Sequence, residues 1–153
     1  MQEGLQLLKK KEPLWTPKYV VVLLNMLCNG IAGMMTYPIV AKYALSIGAV
    51  LTTASAIAGL MSLVSLVVCP FAGVLCDKWN RKYILIAANL GYGIALALHS
   101  VCVTIPSLMV IRMITGAFFS VCTVASVAYA SAYIPKSRMG EGLGYSVLSS
   151  ILA

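Results

Sequence analysis

The chain has 153 residues, 61% of them hydrophobic and only 10% charged, with a formal net charge of +7. A soluble domain carries about 25% charged residues, so this composition excludes a water-covered core and calls for lipid. The cations lie in short runs beside apolar spans rather than on one basic face, which excludes nucleic acid as the partner.

Residues 1–18 are a polar start holding Lys9, Lys10, Lys11 and Lys18. Excess Lys and Arg mark the inner face of a membrane, so this segment is expected to be cytoplasmic. Leu5, Leu7, Leu8 and Trp15 leave a short interfacial helix and a loose tail both open. Residues 19–41 carry no charge and are long enough to cross about 30 Å of hydrocarbon. They form the first expected helix, running from inside to outside. The run is too long for a signal peptide and lacks a clear small-residue cleavage site. Asn25, Asn29, Gly33 and Tyr37 recur at steps of four and share one face. Amides in lipid line a polar cavity or bond to a neighbouring helix, and the spacing leaves both open. Pro38 is placed to bend the outer end.

Residues 42–52 form the expected outer connection, with a turn around Gly48. Residues 53–75 form the second helix. Its stripe Ser55, Gly59 and Ser62 is expected to pack against another helix. The third helix runs from residue 83 to about residue 104 and contains Asn89 and His99. At 1.5 Å per residue, His99 lies about 25 Å above Lys82, close to the outer surface. There it reads as a hydrogen-bonded interfacial residue, with proton coupling as the alternative. Ile105, Pro106 and Ser107 make an outer turn. Residues 108–134 form the fourth helix, with Arg112, Gly116 and Ser120 on one face. Pro135 ends it, and residues 142–153 begin a fifth helix too short to span. The chain therefore reads as a piece of something longer. Nine cations (Lys9, Lys10, Lys11, Lys18, Lys78, Arg81, Lys82, Lys136 and Arg138) fall on one side and only Lys42 in an opposite loop. That bias predicts a multi-pass protein of the cell membrane with its N-terminus inside.

Between the second and third helices, residues 73–82 hold Asp77, Lys78, Arg81 and Lys82 close together. Such a knot of charge cannot lie at mid-depth, so it is expected to be a tight loop at a membrane face. Gly73 and Asn80 tolerate left-handed backbone angles and suit a sharp turn.

This stretch resembles the loop motif of the major facilitator superfamily, roughly G-x-L-a-D-r-x-G-r-K. Gly73, Leu75, Asp77, Arg81 and Lys82 match, Lys78 stands for Arg, and Asn80 stands where that family prefers Gly. Leu108, Arg112 and Gly116 resemble its fourth-helix pattern, and Pro135, Arg138 and Gly140 its next loop. The resemblance implies an all-α polytopic bundle, with residues 19–153 as part of an N-terminal transmembrane domain and further helices completing it. It also implies alternating access around a midplane site. The charged turn would then be a cytoplasmic latch made of Gly73, Leu75, Asp77, Lys78, Arg81 and Lys82, with Glu141 joining the cluster. An arginine at the position of Arg112 is linked to proton coupling in several antiporters of that family.

Arg112 is the leading site residue on its own chemistry. A guanidinium stays charged and must find an anion, water or carbonyls within the membrane. Its level matches residues 33–37 of the first helix, so a pocket between helices 1 and 4 is expected. Asn25, Asn29, Tyr37, Arg112 and Gly116 are the candidate substrate and proton pathway. Cys28, Cys69, Cys76, Cys102 and Cys122 have the spacing of neither a zinc site nor a disulfide framework, so no metal is expected. No nucleophile elbow, phosphate loop or carboxylate cluster points to an enzyme, and Gly91 and Gly93 lie in an apolar helix rather than in a nucleotide loop. The expected activity is secondary transport of small organic molecules, as proton-coupled efflux powered by a gradient and without a cofactor. Two alternatives stand beside it: organic-anion uptake with Arg112 as the clamp, and an inactive truncated membrane fragment.

Overall fold

The computed structural model describes residues 14–152, apart from the side chains of Lys136, Ser150 and Ile151. Lys9, Lys10 and Lys11, with the choice between interfacial helix and loose tail, lie outside the described residues. Among the described residues five α-helices follow one another: α1 Pro17–Ser46, α2 Leu51–Lys78, α3 Arg81–Leu98, α4 Ile105–Ser131 and α5 Met139–Ile151. Short 3-10 turns at His99–Val101 and Lys136–Arg138 follow α3 and precede α5. The first four elements are long and apolar enough to cross a membrane, and the described residues contain no strand. In lipid every backbone group must be satisfied within its own segment, and a helix does this.

Local chemistry sets the helix ends. Thr16 caps α1 by accepting from the Tyr19 amide at 3.4 Å, and Pro17 occupies the first turn, where a missing N–H costs nothing. α1 runs five residues beyond the expected end at Ala41, because nothing in 42–46 breaks a helix. It stops at Gly48, which has φ +89°. The Gly48 amide donates to the Leu45 carbonyl and the Ala49 amide to the Ala44 carbonyl, at 3.1 and 3.0 Å. That is a Schellman ending, in which a glycine takes the left-handed position. α4 starts three residues earlier than expected. Thr104 and Ser107 bond each other reciprocally as a capping box, with Pro106 in the first turn.

The charged turn differs from expectation. The second helix runs three residues beyond its expected end at Leu75, so Cys76, Asp77 and Lys78 are helix rather than loop, and Gly73 and Leu75 lie in the same last turns of α2. Only Trp79 and Asn80 separate α2 from α3. Asn80 has φ −65°, and its side chain accepts from the Lys82 amide at 3.1 Å. It serves as the N-cap of α3 rather than as a left-handed residue. Charge at a helix end is compatible with lipid because the last turn reaches the polar face, and Lys78 there also suits the helix dipole.

α4 is the centre of the bundle and packs against each of the other four α-helices. Its buried side chains are small or polar for the most part, among them Thr115, Gly116, Ser120, Ala125, Ser126 and Ala130. Small residues let helices approach closely where lipid supplies no hydrophobic drive between them. The α2 seam on α4 is Ala54, Ile57 and Met61. The stripe of Ser55, Gly59 and Ser62 is not this interface. All three are exposed, Gly59 has nothing within 4 Å of a Cβ, and Ser55 bonds its own Leu51 carbonyl. The two seams lie one to two residues out of phase, and the bulkier apolar set won the contact. At the other end of α1, the Tyr19 hydroxyl donates to the Gly142 carbonyl at 2.6 Å, fastening α5.

Gly116 marks a close approach of α4 to the α2 backbone, because a Cβ there would lie 2.5 Å from the Met61 carbonyl oxygen. Gly116→Ala is expected to lower stability by about 1–3 kcal/mol, the usual cost of overpacking. Gly59→Ala, with open space around it, should leave it unchanged or slightly higher. Thermal unfolding of the two variants in detergent checks both outcomes.

Candidate functional site

Arg112 is fully buried, at 0% exposure. Its i−4 and i+4 neighbours Leu108 and Gly116 lie on the same buried face of α4. Gly116 brings α2 close enough for one guanidinium nitrogen to reach the Met61 sulfur at 3.5 Å. The other terminal nitrogen donates to the Thr36 carbonyl of α1 at 3.4 Å. The guanidinium carbon lies 5.2 Å from the centre of the Tyr37 ring. An aromatic face attracts a cation, the more strongly once both are out of water. The Nε atom finds no hydrogen-bond partner among the described residues. The two described carboxylates, Asp77 and Glu141, pair with Arg81 and Arg138 instead. Arg112 is thus a buried cation held by weak or neutral acceptors, a state that leaves capacity for an anion.

Tyr37 reaches across to α2, where its hydroxyl and that of Ser62 are 2.7 Å apart. A cavity of about 170 Å³ between α1 and α4 is lined by Asn29, Gly33, Tyr37, Phe119, Thr123 and Ser126, with others. A second, of about 320 Å³, is lined by Tyr37, Met61, Ser62, Ser65, Cys69 and Phe119, with Leu66. A larger groove of about 540 Å³ between α1 and α3 holds Lys18, Asn25, Lys82 and Asn89 and does not include Arg112.

Asn25 and Asn29 do not join Arg112. Both donate to the Asn89 side-chain oxygen of α3, at 3.1 and 2.9 Å, and Asn29 also donates to Asn25. Ser126 of α4 adds a 3.5 Å contact to Asn25, and Asn89 donates to its own Leu85 carbonyl. These amides tie α1 to α3, and they also border open space: Asn25 and Asn89 line the 540 Å³ groove and Asn29 the 170 Å³ cavity. Gly116 lines neither cavity, and α2–α4 packing accounts for it.

The charged turn makes a third cluster. One Arg81 nitrogen donates to the Ala128 carbonyl in the last turn of α4 at 3.0 Å, and another lies 3.8 Å from Asp77. A cation at a helix C-terminus is favoured by the dipole. Asp77 keeps 78% of its side chain exposed. Lys82 borders the large groove, and Lys78 is exposed. Glu141 forms a two-pronged pair with Arg138, at 2.7 and 2.8 Å. That bond pushes the Arg138 guanidinium above its ordinary pKa. His99 bonds the Ala95 carbonyl of its own helix at 2.8 Å.

Sequence reasoning missed Tyr92 and Phe119, whose rings lie 5.6 Å apart behind the site. It also missed the role of Met61, and it assigned Ser62 to packing. An aromatic or thioether in an apolar run carries no sequence signal of its own.

Four helices of membrane-spanning length, a buried arginine and a charged turn at one end define the class: an all-α polytopic membrane protein. The chain belongs to the Major Facilitator Superfamily, whose family profile matches residues 22–153. It is 30% identical over 107 residues to an uncharacterised MFS-type transporter of Methanocaldococcus jannaschii, covering 70% of this chain and 28% of that one. It is 34% identical over 83 residues to the staphyloferrin B transporter of Staphylococcus aureus, covering 54% of this chain and 20% of the relative. The thiamine pathway transporter of Saccharomyces cerevisiae is 34% identical over 76 residues, covering 50% of this chain and 14% of its own length. The matched stretch thus spans less than a third of each of these relatives. No solved structure matches the chain significantly.

Asn89 is the shared acceptor of two amides, so Asn89→Ala takes the side-chain acceptor from the Asn25 amide and leaves Asn29 with its bonds to Asn25. A loss of about 0.5–2 kcal/mol is expected, the range for interhelical polar contacts in membranes. Asn25→Ala in the Asn89→Ala background should cost much less than it does alone. A double-mutant cycle on detergent unfolding measures that coupling.

Proposed function

We propose that this chain is the N-terminal part of a secondary active transporter of small organic molecules that works by alternating access, with proton-coupled efflux as its reaction. The observation that carries the reading is the Arg112 guanidinium, wholly buried among α1, α2 and α4 with an unpaired Nε. A charge kept at this depth at such cost points to function rather than to stability. The family supports transport as the general activity. Lys18, Lys78, Arg81, Lys82 and Arg138 lie at the ends where α1 begins, α2 meets α3 and α4 meets α5, whereas Lys42 lies near the opposite end of α1. This distribution supports a cytoplasmic N-terminus, and the plasma membrane is the location that goes with this reading. In this reading Asn25, Asn29 and Tyr37 border the substrate and proton path beside Arg112. Gly73, Leu75, Asp77, Lys78, Arg81 and Lys82 form the cytoplasmic latch, with Glu141 beside it. The exposed Asp77 carboxylate remains available to the facing half of the transporter.

Organic-anion uptake is the second reading, favoured by the unpaired Nε, with Arg112 as the clamp. Transport by the full-length protein in proteoliposomes, with and without an imposed pH gradient, tests both. Arg112→Lys keeps the charge and loses the planar fork. Under proton coupling the variant shifts the pH dependence of transport at similar substrate affinity. Under anion clamping it raises KM at unchanged pH dependence. Indifference to the pH gradient together with full activity of Arg112→Lys rejects both.

Asp77→Asn in the same protein should weaken the state closed on the cytoplasmic side. Accessibility of cysteines introduced along the path reports the change. Unaltered labelling and unaltered transport count against the latch.

A further inference from the structure

Tyr37 and Phe119 line both the 170 Å³ cavity between α1 and α4 and the 320 Å³ cavity that α2 completes. They form the partition between the two. The Tyr37 ring lies over the guanidinium, and its hydroxyl is paired with Ser62 on α2. The ring is therefore held at both ends, by a cation beneath it and a hydroxyl beyond it. Under this cover Arg112 has no exposed surface and keeps one donor unpaired. A buried, unpaired guanidinium N–H is an acceptor site waiting to be filled.

α1 also provides a place for the ring to go. An aromatic side chain on a helix leans toward the helix N-terminus, over the residue four positions back. For Tyr37 that residue is Gly33, which is itself packed against Phe119 and the Tyr92 hydroxyl, at 3.4 and 3.7 Å from where a Cβ would stand, so the free space on this side is the 170 Å³ cavity that Gly33 lines together with Gly30. Apolar side chains complete the surroundings: Met26, Met34 and Phe119 in one cavity, Met61 and Leu66 in the other.

We propose that Tyr37 is a swinging cover and specificity-determining residue. When its bond to Ser62 is released, the ring turns into the 170 Å³ cavity between α1 and α4 and opens the Arg112 guanidinium to the acidic group of an organic anion, whose apolar body lies along Phe119 and Met61. This inference rests on the reading of Arg112 as a site residue and adds the gate and the ligand class. The step is a rotation and an ion pairing, with no bond made or broken.

The test reads Arg112 chemically and does not depend on transport. The full-length protein in liposomes is treated with phenylglyoxal, a guanidine-directed dicarbonyl, and modification of Arg112 is followed by mass spectrometry. Arg138, 24% exposed at its side chain, is the internal standard. In the unchanged protein Arg112 should react far more slowly than Arg138. Tyr37→Phe and Ser62→Ala each remove one hydrogen bond and should speed Arg112 modification about fivefold, with Tyr37→Ala faster still. Ser55→Ala, on the outer face of α2, should change nothing. Benzoate should slow the reaction in Tyr37→Phe, and benzylamine should not. Unchanged rates in both Tyr37→Phe and Ser62→Ala, or an Arg112 as reactive as Arg138 in the unchanged protein, overturn the cover. Absence of protection by benzoate overturns the anion assignment. Failure of Arg112 as a transport residue is read separately, from transport by Arg112→Lys, so the two failures are distinguishable.

Discussion

A single desolvated cation sets the terms for this bundle. A guanidinium cannot shed its charge, and about two turns inside a membrane helix it must find compensating partners; at a helix centre such a charge costs about 2.5–3.5 kcal/mol on insertion scales. Three helices must therefore meet around Arg112. α1 supplies a carbonyl and an aromatic ring, α2 a sulfur, and α4 the arginine itself. Gly116 makes this meeting possible, because only a residue without a side chain lets the α2 backbone come so near. The Arg112–Gly116 spacing is one turn of α4, so the charge and the space it needs come from a single surface.

Toward the charged turn, two further polar levels lie below that one. The Asn25, Asn29 and Asn89 amides join α1 to α3 beside Ser126 of α4. Arg81 then fastens the start of α3 to the last turn of α4. Each level lets helices without a hydrophobic drive between them hold a defined register, since a polar group in hydrocarbon has few alternative partners. The arginine level differs from the amide level in being incompletely satisfied. It is also the level bordered by cavities on both sides of one tyrosine.

The spans were legible in the sequence because lipid imposes a simple rule: long uncharged runs cross, and charges stay at the ends. The level of Arg112 relative to Thr36 and Tyr37 also followed, since helical rise is the same everywhere. Boundaries were less legible. Gly48 marked a turn, but the sequence did not show that α1 would run unbroken to it through Pro38 and Lys42. The turn at Asp77 was read as loop because charge and glycine were taken together. In the structure the charge sits on a helix end and Asn80 caps the next helix.

Composition and periodicity alone thus determined a helical membrane bundle, its four crossings and the presence of one buried cation on the face shared with Gly116. Only the tertiary structure decided which α2 seam meets α4, that Asn89 is the partner of both α1 amides, and that Tyr37 covers the arginine. The reason is physical. Crossing a membrane is a property of each segment in its solvent, whereas partner choice depends on which side chains interlock once several helices compete for the same small-residue surface.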